Sequence, residues 1–233
     1  IRFSYEEEGE GIKAINGDGV KMNYSVRLLD GTVIEENKTA TFRKGARQVI
    51  DGLEIMMILM RTGDKVKAFI PSPYAYRDQQ RGNIPPNSIL VFDLEMTDID
   101  YGSYDFDGMM QQNQETIDLF LDSIGVEPNI DPRSGLRFVT TQVGSGIVPN
   151  LGDEIMVRYT GRVMNSNRTL AENPFDSNVS SGELFSFVFD YGSVIQGWDL
   201  GFRFLSPGSK ATLYIPSPYG YRNQSRTGIP ANS

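Results

Sequence analysis

The side chains of this sequence that could do chemistry fall in one ordered stretch that occurs twice. Residues 70–88 read IPSPYAYRDQQRGNIPPNS and residues 215–233 read IPSPYGYRNQSRTGIPANS, with both tyrosines, the arginines and the Ile-Pro in register 145 positions apart. Order kept over that length marks a duplicated unit rather than biased composition. Each copy leaves the end of a strand-like run and continues as a long loop bearing aromatics, the kind of loop that carries binding residues over a rigid scaffold. The chain has no His and no Cys. That excludes Ser-His-Asp and Cys-His nucleophilic catalysis and His/Cys zinc sites. Residues 103–108, SYDFDG, have the flavour of a calcium loop, but the first position is Ser103 and the twelfth is Gln114 instead of Glu, so the stretch reads as a solvated acidic connection. The glycine-rich runs 9–19 and 144–146 lack the strand-to-helix context of a nucleotide site and read as turns. No metal or cofactor is expected.

The elements that must position these loops can be read from the rest of the chain. Its 233 residues suffice for two domains of about 100 residues each. A hydrophobic share of 39% with 24 Gly and 12 Pro suits a loop-rich, mostly β protein. The net charge of −8 argues against nucleic acid or an anionic membrane as the main partner. No apolar run reaches the length of a membrane helix, and without Cys there are no disulfides from which to read a compartment. The sequence opens on Ile1 rather than Met, so a trimmed piece is expected, with any signal or lipid-attachment segment upstream of it.

Residues 20–28, VKMNYSVRL, alternate apolar and polar as a half-buried strand does, and residues 155–160, IMVRYT, repeat the pattern with Tyr159 lying 135 positions after Tyr24. Val66, Ala68 and Ile70 alternate with Lys65 and Lys67 and match Ala211, Leu213 and Ile215. The offset grows from 135 to 145 between these landmarks, so ten extra residues belong to the middle of the second unit, where the Asn- and Ser-rich run 165–182 reads as loop. Between the strands of each unit lies a short helical stretch, 50–60 with Gly63 as its cap and 194–204 closed by Pro207-Gly208. Leu90, Phe92, Leu94 and Met96 lie on one face of a closing strand in the first unit that has no counterpart in the second. A sheet edge and part of a core are therefore expected to lie open there, as in a chain cut short. Ile117, Phe120, Leu121 and Ile124 fall at helical spacing and predict a helix over about 111–124 within a connection spanning 101–133. The expected division is 1–100, 101–133 and 134–233.

At this point the chain resembles a known family. Tyr159-Thr-Gly161, Phe175-Asp176, Phe185-Ser-Phe187, Val194-Ile195-Gln-Gly-Trp198, Tyr221 and Ile229-Pro230 follow the ordered motifs of the FKBP family of peptidyl-prolyl cis-trans isomerases, which also bind macrolides. The first half is similar through Tyr24, Val49-Ile50, Tyr76, Ile84 and Phe92. The resemblance implies an α+β fold of two domains, each a twisted antiparallel sheet wrapped around one short helix with a pocket between them. The strand and helix pattern read from the residues agrees with that independently. It also implies roles. Trp198 is the floor under a proline ring, and Tyr159, Phe187, Val194 and Ile195 are walls, with the Ile195 N–H anchoring a substrate carbonyl. Tyr221 offers a hydroxyl, Phe175 and Asp176 bracket the twisted amide, and Phe185 and Ile229 form the rim. In the first half Tyr24, Phe42, Val49, Ile50, Leu53, Tyr76, Ile84 and Phe92 line the equivalent site.

The first half departs from the pattern, with Leu53 for Trp, Ile34-Glu35 for Phe-Asp and Ala40 for an aromatic. It is therefore expected to be weak or inactive as an isomerase and to bind chains or support the other half. The resemblance implies partners that are unfolded or newly delivered proline-containing polypeptides, possible macrolide ligands, and a bacterial, extracytoplasmic setting. Plainer readings stand beside these. Trp198, Phe187 and the Val-Ile pairs suit an ordinary core, Tyr76 and Tyr221 a structural loop, and Asp176 a cap. A chaperone-like binding protein that keeps the pocket shape with little turnover is the rival to an enzyme.

Overall fold

The computed structural model covers residues Ile1–Ser233 and divides into two compact units, Ile1–Gly102 and Ser103–Ser233. In the first, β1 (Arg2–Glu7), β2 (Gly19–Leu28), β3 (Val33–Arg43), β4 (Lys65–Ile70) and β5 (Leu90–Asp100) form one antiparallel sheet in the order β1-β4-β5-β2-β3. Helix α1 (Asp51–Leu59) lies on it. The period-two pattern explains the core. Val20 and Met22 of β2, Val66, Ala68 and Ile70 of β4, and Leu90, Phe92, Leu94 and Met96 of β5 join Leu53, Met56, Met57 and Met60 in one buried cluster. Lys21 pairs with Asp98 but Met22 with Met96, leaving Thr97 as a bulge. The extra residue switches the phase of β5, so Ile99 is buried while Asp98 is exposed. Helix and sheet meet at Gly52, where a Cβ would overlap the Ile70 side chain. Only glycine allows that approach. The helix ends earlier than Gly63, at Leu59, because Met60 turns to an extended conformation and buries its side chain in the core.

The second unit begins with α2 (Phe106–Ser123), which starts five residues before the position its apolar spacing suggested. Asp105, within the acidic run that reads as turn, caps the helix by accepting from the Gly108 N–H at 3.0 Å. Gly125, with φ of +67, ends it in the left-handed conformation. The helix belongs to the second unit rather than standing between the two. Then come β6 (Asn129–Ile130), β7 (Arg137–Gln142), β8 (Glu154–Val157), β9 (Thr160–Gly161), β10 (Asp176–Ser177), β11 (Phe185–Val188), α3 (Gln196–Phe202) and β12 (Lys210–Tyr214).

Pairings of the first unit recur here: β7 with β12 as β1 with β4, and β8 and β9 with β11 and β10 as β2 with β3. Gly197 meets Ile215 as Gly52 meets Ile70. The strands of this unit form three hydrogen-bonded groups, β9 with β10, β8 with β11, and β12-β7-β6. Ile155 and Val157 are only half-buried where Val20 and Met22 are at 0% and 1% exposure. The ten additional residues are not one loop. Part of the excess lies between Tyr159 and Asp176, in a hairpin closed by a Met164–Leu170 bridge, and part between β10 and β11.

Candidate functional site

Four rings surround the single indole. Around Trp198 stand Tyr159 at 5.1 Å, Phe187 at 5.5 Å, Phe202 at 5.7 Å and Phe185 at 5.8 Å between centroids. Three of them meet it edge to face, an arrangement aromatic quadrupoles favour. The indole itself is half-buried rather than sealed. Strand pairing brings these rings together: Phe185 opposes Val157 and Phe187 opposes Ile155, while α3 supplies Trp198 and Phe202. Val194 and Ile195 lead into that helix. Ile195 is extended (φ −63, ψ 145), so its N–H lies outside the helical ladder. At the edge of the ring cluster the Tyr159 hydroxyl donates a short hydrogen bond to the Asp176 carboxylate. That bond, helped by burial and by the negative charge of Asp176, raises the phenol to about 12. The hydroxyl therefore stays protonated throughout the neutral range.

Tyr221 is close enough to Tyr159 to influence its ionisation, and the Arg226 guanidinium lies 5.8 Å from the Tyr221 ring. Ile229 is buried and held in a turn by reciprocal backbone bonds with Arg226. Phe175 lies on Gly161 and beside Gly228: a Cβ on Gly161 would overlap its ring. Asp176 pairs with Gly161 across β9 and β10. Asn178 fixes the strand end that carries Tyr159. Its side chain accepts from the Tyr159 N–H at 2.8 Å and donates to the Val157 carbonyl at 2.9 Å.

The first unit repeats the plan with different contents. Leu53, Ile84 and Phe92 are buried in its core, and Tyr24, Ile34, Phe42, Val49, Ile50 and Tyr76 pack against that core. Tyr24 and Phe42 stand 6.0 Å apart. Ala40 pairs with Met22 as Phe185 pairs with Val157. Glu35 pairs with Val26 as Asp176 pairs with Gly161, and it too bonds to its tyrosine. Burial first, then the bond to Glu35, raises Tyr24 to about 12. The longer carboxylate therefore keeps the hydrogen bond. The apolar half is exchanged as a pair, with Val26 and Ile34 standing where the second unit has Gly161 and Phe175.

The profile described as FKBP-type peptidyl-prolyl cis-trans isomerase matches residues 10–97 and again 146–233. The chain belongs to this family. Among its relatives, "Peptidyl-prolyl cis-trans isomerase FKBP9" of Bos taurus is 26% identical over 210 residues, which cover 88% of this chain and 31% of that protein. "FKBP-type peptidyl-prolyl cis-trans isomerase FkpA" of Aeromonas hydrophila is 37% identical over 111 residues, 46% of this chain and 41% of that one. The crystal structure of FkpA from Escherichia coli aligns at 33% identity over 42% of this chain and 47% of that chain, with a TM-score of 0.39. The chain spans about a third of the length of the bovine relative, 31%. No helix is long and apolar enough to cross a membrane.

Three residues of these two arrangements escape a reading of the sequence alone. Phe202 touches both Trp198 and Phe187, but reads as an ordinary helix residue. Its helical spacing of four from Trp198 is the signal that could have found it. Asn178 reads only as part of the Asn- and Ser-rich loop. Val26 gains meaning only once its pairing with Glu35 sets it, with Ile34, at the register of Gly161 and Phe175.

Proposed function

We propose that the second unit catalyses cis-trans isomerisation of X-Pro bonds in unfolded or nascent polypeptides, and that the first binds such chains with little or no turnover. The observation that carries this reading is the half-buried Trp198 within four aromatic rings, with the Tyr159–Asp176 hydrogen bond at its edge.

Rotation about a peptide bond is opposed by resonance, with a barrier of roughly 18–20 kcal/mol, and X-Pro bonds exchange in tens to hundreds of seconds. No nucleophile or proton transfer is required, which suits a chain without His or Cys. A twisted amide has lost its resonance and is less charge-separated than a planar one. An apolar, aromatic surface disfavours the planar form and accepts the twisted one, which is differential binding of the transition state. A gain of about 5 kcal/mol corresponds to a factor of several thousand. In this reading Trp198 carries the proline ring, with Tyr159, Phe187, Val194 and Ile195 as walls and Phe185 and Ile229 as rim. The Ile195 N–H and the Tyr221 hydroxyl hold carbonyls, and Phe175 and Asp176 flank the rotating bond.

In the first unit Leu53 keeps the floor apolar but offers no flat ring for a proline to stack on, while the polar edge survives through Tyr24 and Glu35. That combination favours binding without efficient rotation. Turnover of a proline peptide by the full chain, compared with Trp198→Leu and Tyr221→Phe, tests the assignment. A Trp198→Leu chain as fast as the parent would refute it. Quenching of the single tryptophan by a macrolide is a direct test of ligand entry.

A further inference from the structure

The turn Ile-Pro-Ser-Pro-Tyr has the same five residues in both units, yet its environment is opposite. In the first unit Pro73 and Arg77 are exposed and Tyr74 is 42% exposed. In the second, Ser217 is at 0%, Tyr219 at 3% and Arg222 at 7%, with Pro216 and Pro218 also buried. Residues 104–134 supply the partners. The Asn113 side-chain oxygen accepts from the Ser217 N–H at 2.7 Å, and the Tyr219 hydroxyl donates to the Ser134 carbonyl at 2.9 Å. Phe106 stands edge-on to Tyr219 at 5.9 Å, and the Arg222 guanidinium lies 5.6 Å from the Tyr104 ring and 5.8 Å from that of Phe106.

The same segment also grips α3. Asp131, 1% exposed, is ion-paired with Arg203 at the C-terminal cap of that helix and accepts from the Ser134 and Arg133 N–H groups. Thus the loop carrying Tyr221 and the helix carrying Trp198 are both fastened to residues that precede the matched region 146–233.

We propose that residues 103–135 are a positioning brace for the second site, with Asn113 holding the Tyr221 loop and Asp131 holding the Trp198 helix. This inference rests on the activity proposed above for that site. Anchoring of this kind supplies the fixed reference that pre-organisation of a site requires.

The test uses full-length Asn113→Leu, which removes the acceptor at similar size, and Asn113→Asp, which retains it. Amide exchange is followed at 215–222 with 70–77 as internal control, alongside proline-peptide turnover. With Asn113→Leu, exchange at 215–222 rises and kcat/KM falls, each about tenfold, since small displacements of reacting groups are costly. The control stays unchanged, and Asn113→Asp restores both readouts. Unchanged exchange, faster exchange with full turnover, or no rescue by Asp would each overturn the brace. Tyr219→Phe, which deletes only the hydroxyl on Ser134, gives the same pattern at smaller size should Asn113→Leu fail to fold. A parent chain without proline turnover refutes the proposed activity instead, and the exchange comparison then decides the brace alone.

Discussion

Tyr24 with Glu35 and Tyr159 with Asp176 are one polar device built twice, at the same register of the same strand pair, and both tyrosines are pushed up to about 12. What lies behind the device differs. The first unit backs it with Leu53, Met56 and Met57 in a continuous core, and the second with an indole ringed by aromatics. In the second unit, contacts from α2 and Asp131 also hold the loop that carries Tyr221 and the helix that carries Trp198. Polar function and apolar content can therefore change separately within one fold, and a substitution in a motif does not by itself mean that its role is gone.

The largest expected effect comes from making the second unit like the first. Trp198→Leu should lower kcat/KM for a proline peptide on the order of a hundredfold, while the fold as judged by circular dichroism is kept. Next is the exchange across the strand pair. Ile34→Phe alone places a ring against the Val26 side chain and should cost roughly 1–3 kcal/mol by overpacking. Adding Val26→Gly should recover part of that loss in denaturant titrations, and strictly additive effects would show that the two positions are not coupled.

Asp131→Asn should destabilise the second unit at neutral pH. Burial alone would raise this carboxyl, but the bond from Ser134 and the Arg203 partner outweigh burial and hold it below the usual range. A folded-state pKa that is depressed contributes stability above the unfolded value, and that contribution disappears as pH falls through the folded value. The gap in Tm between parent and variant should therefore shrink below about pH 4. Asp64 of the first unit has the opposite sign, because desolvation raises it above the usual range. Its share of stability is complete at low pH and is lost as pH rises through its folded value.

The smallest effect is expected of Glu35→Gln. It should move the Tyr24 titration back toward 10 without reaching it, since burial, the larger cause, remains. Ultraviolet titration of the phenols reads this directly.

The duplication, the strands and the aromatic set at 159–198 were legible in the residues because each depends on local order. Side chains alternate at period two along a strand, and a repeated unit keeps its spacing. The reach of Glu35 to Tyr24 was not legible, because the identity of a residue does not say where a longer side chain ends. Nor was the exchange of Gly161 and Phe175 for Val26 and Ile34, which makes sense only once the strands are paired.

By itself the sequence determined that there are two related units, that each holds a short helix between strands, and that ordinary proton-transfer catalysis by His or Cys is ruled out. Only the tertiary structure decided that an identical Pro-Ser-Pro-Tyr turn is open in one unit and buried in the other. Burial is a property of what lies opposite. Asn113 and Ser217 are 104 positions apart, and no local pattern encodes contacts at that separation.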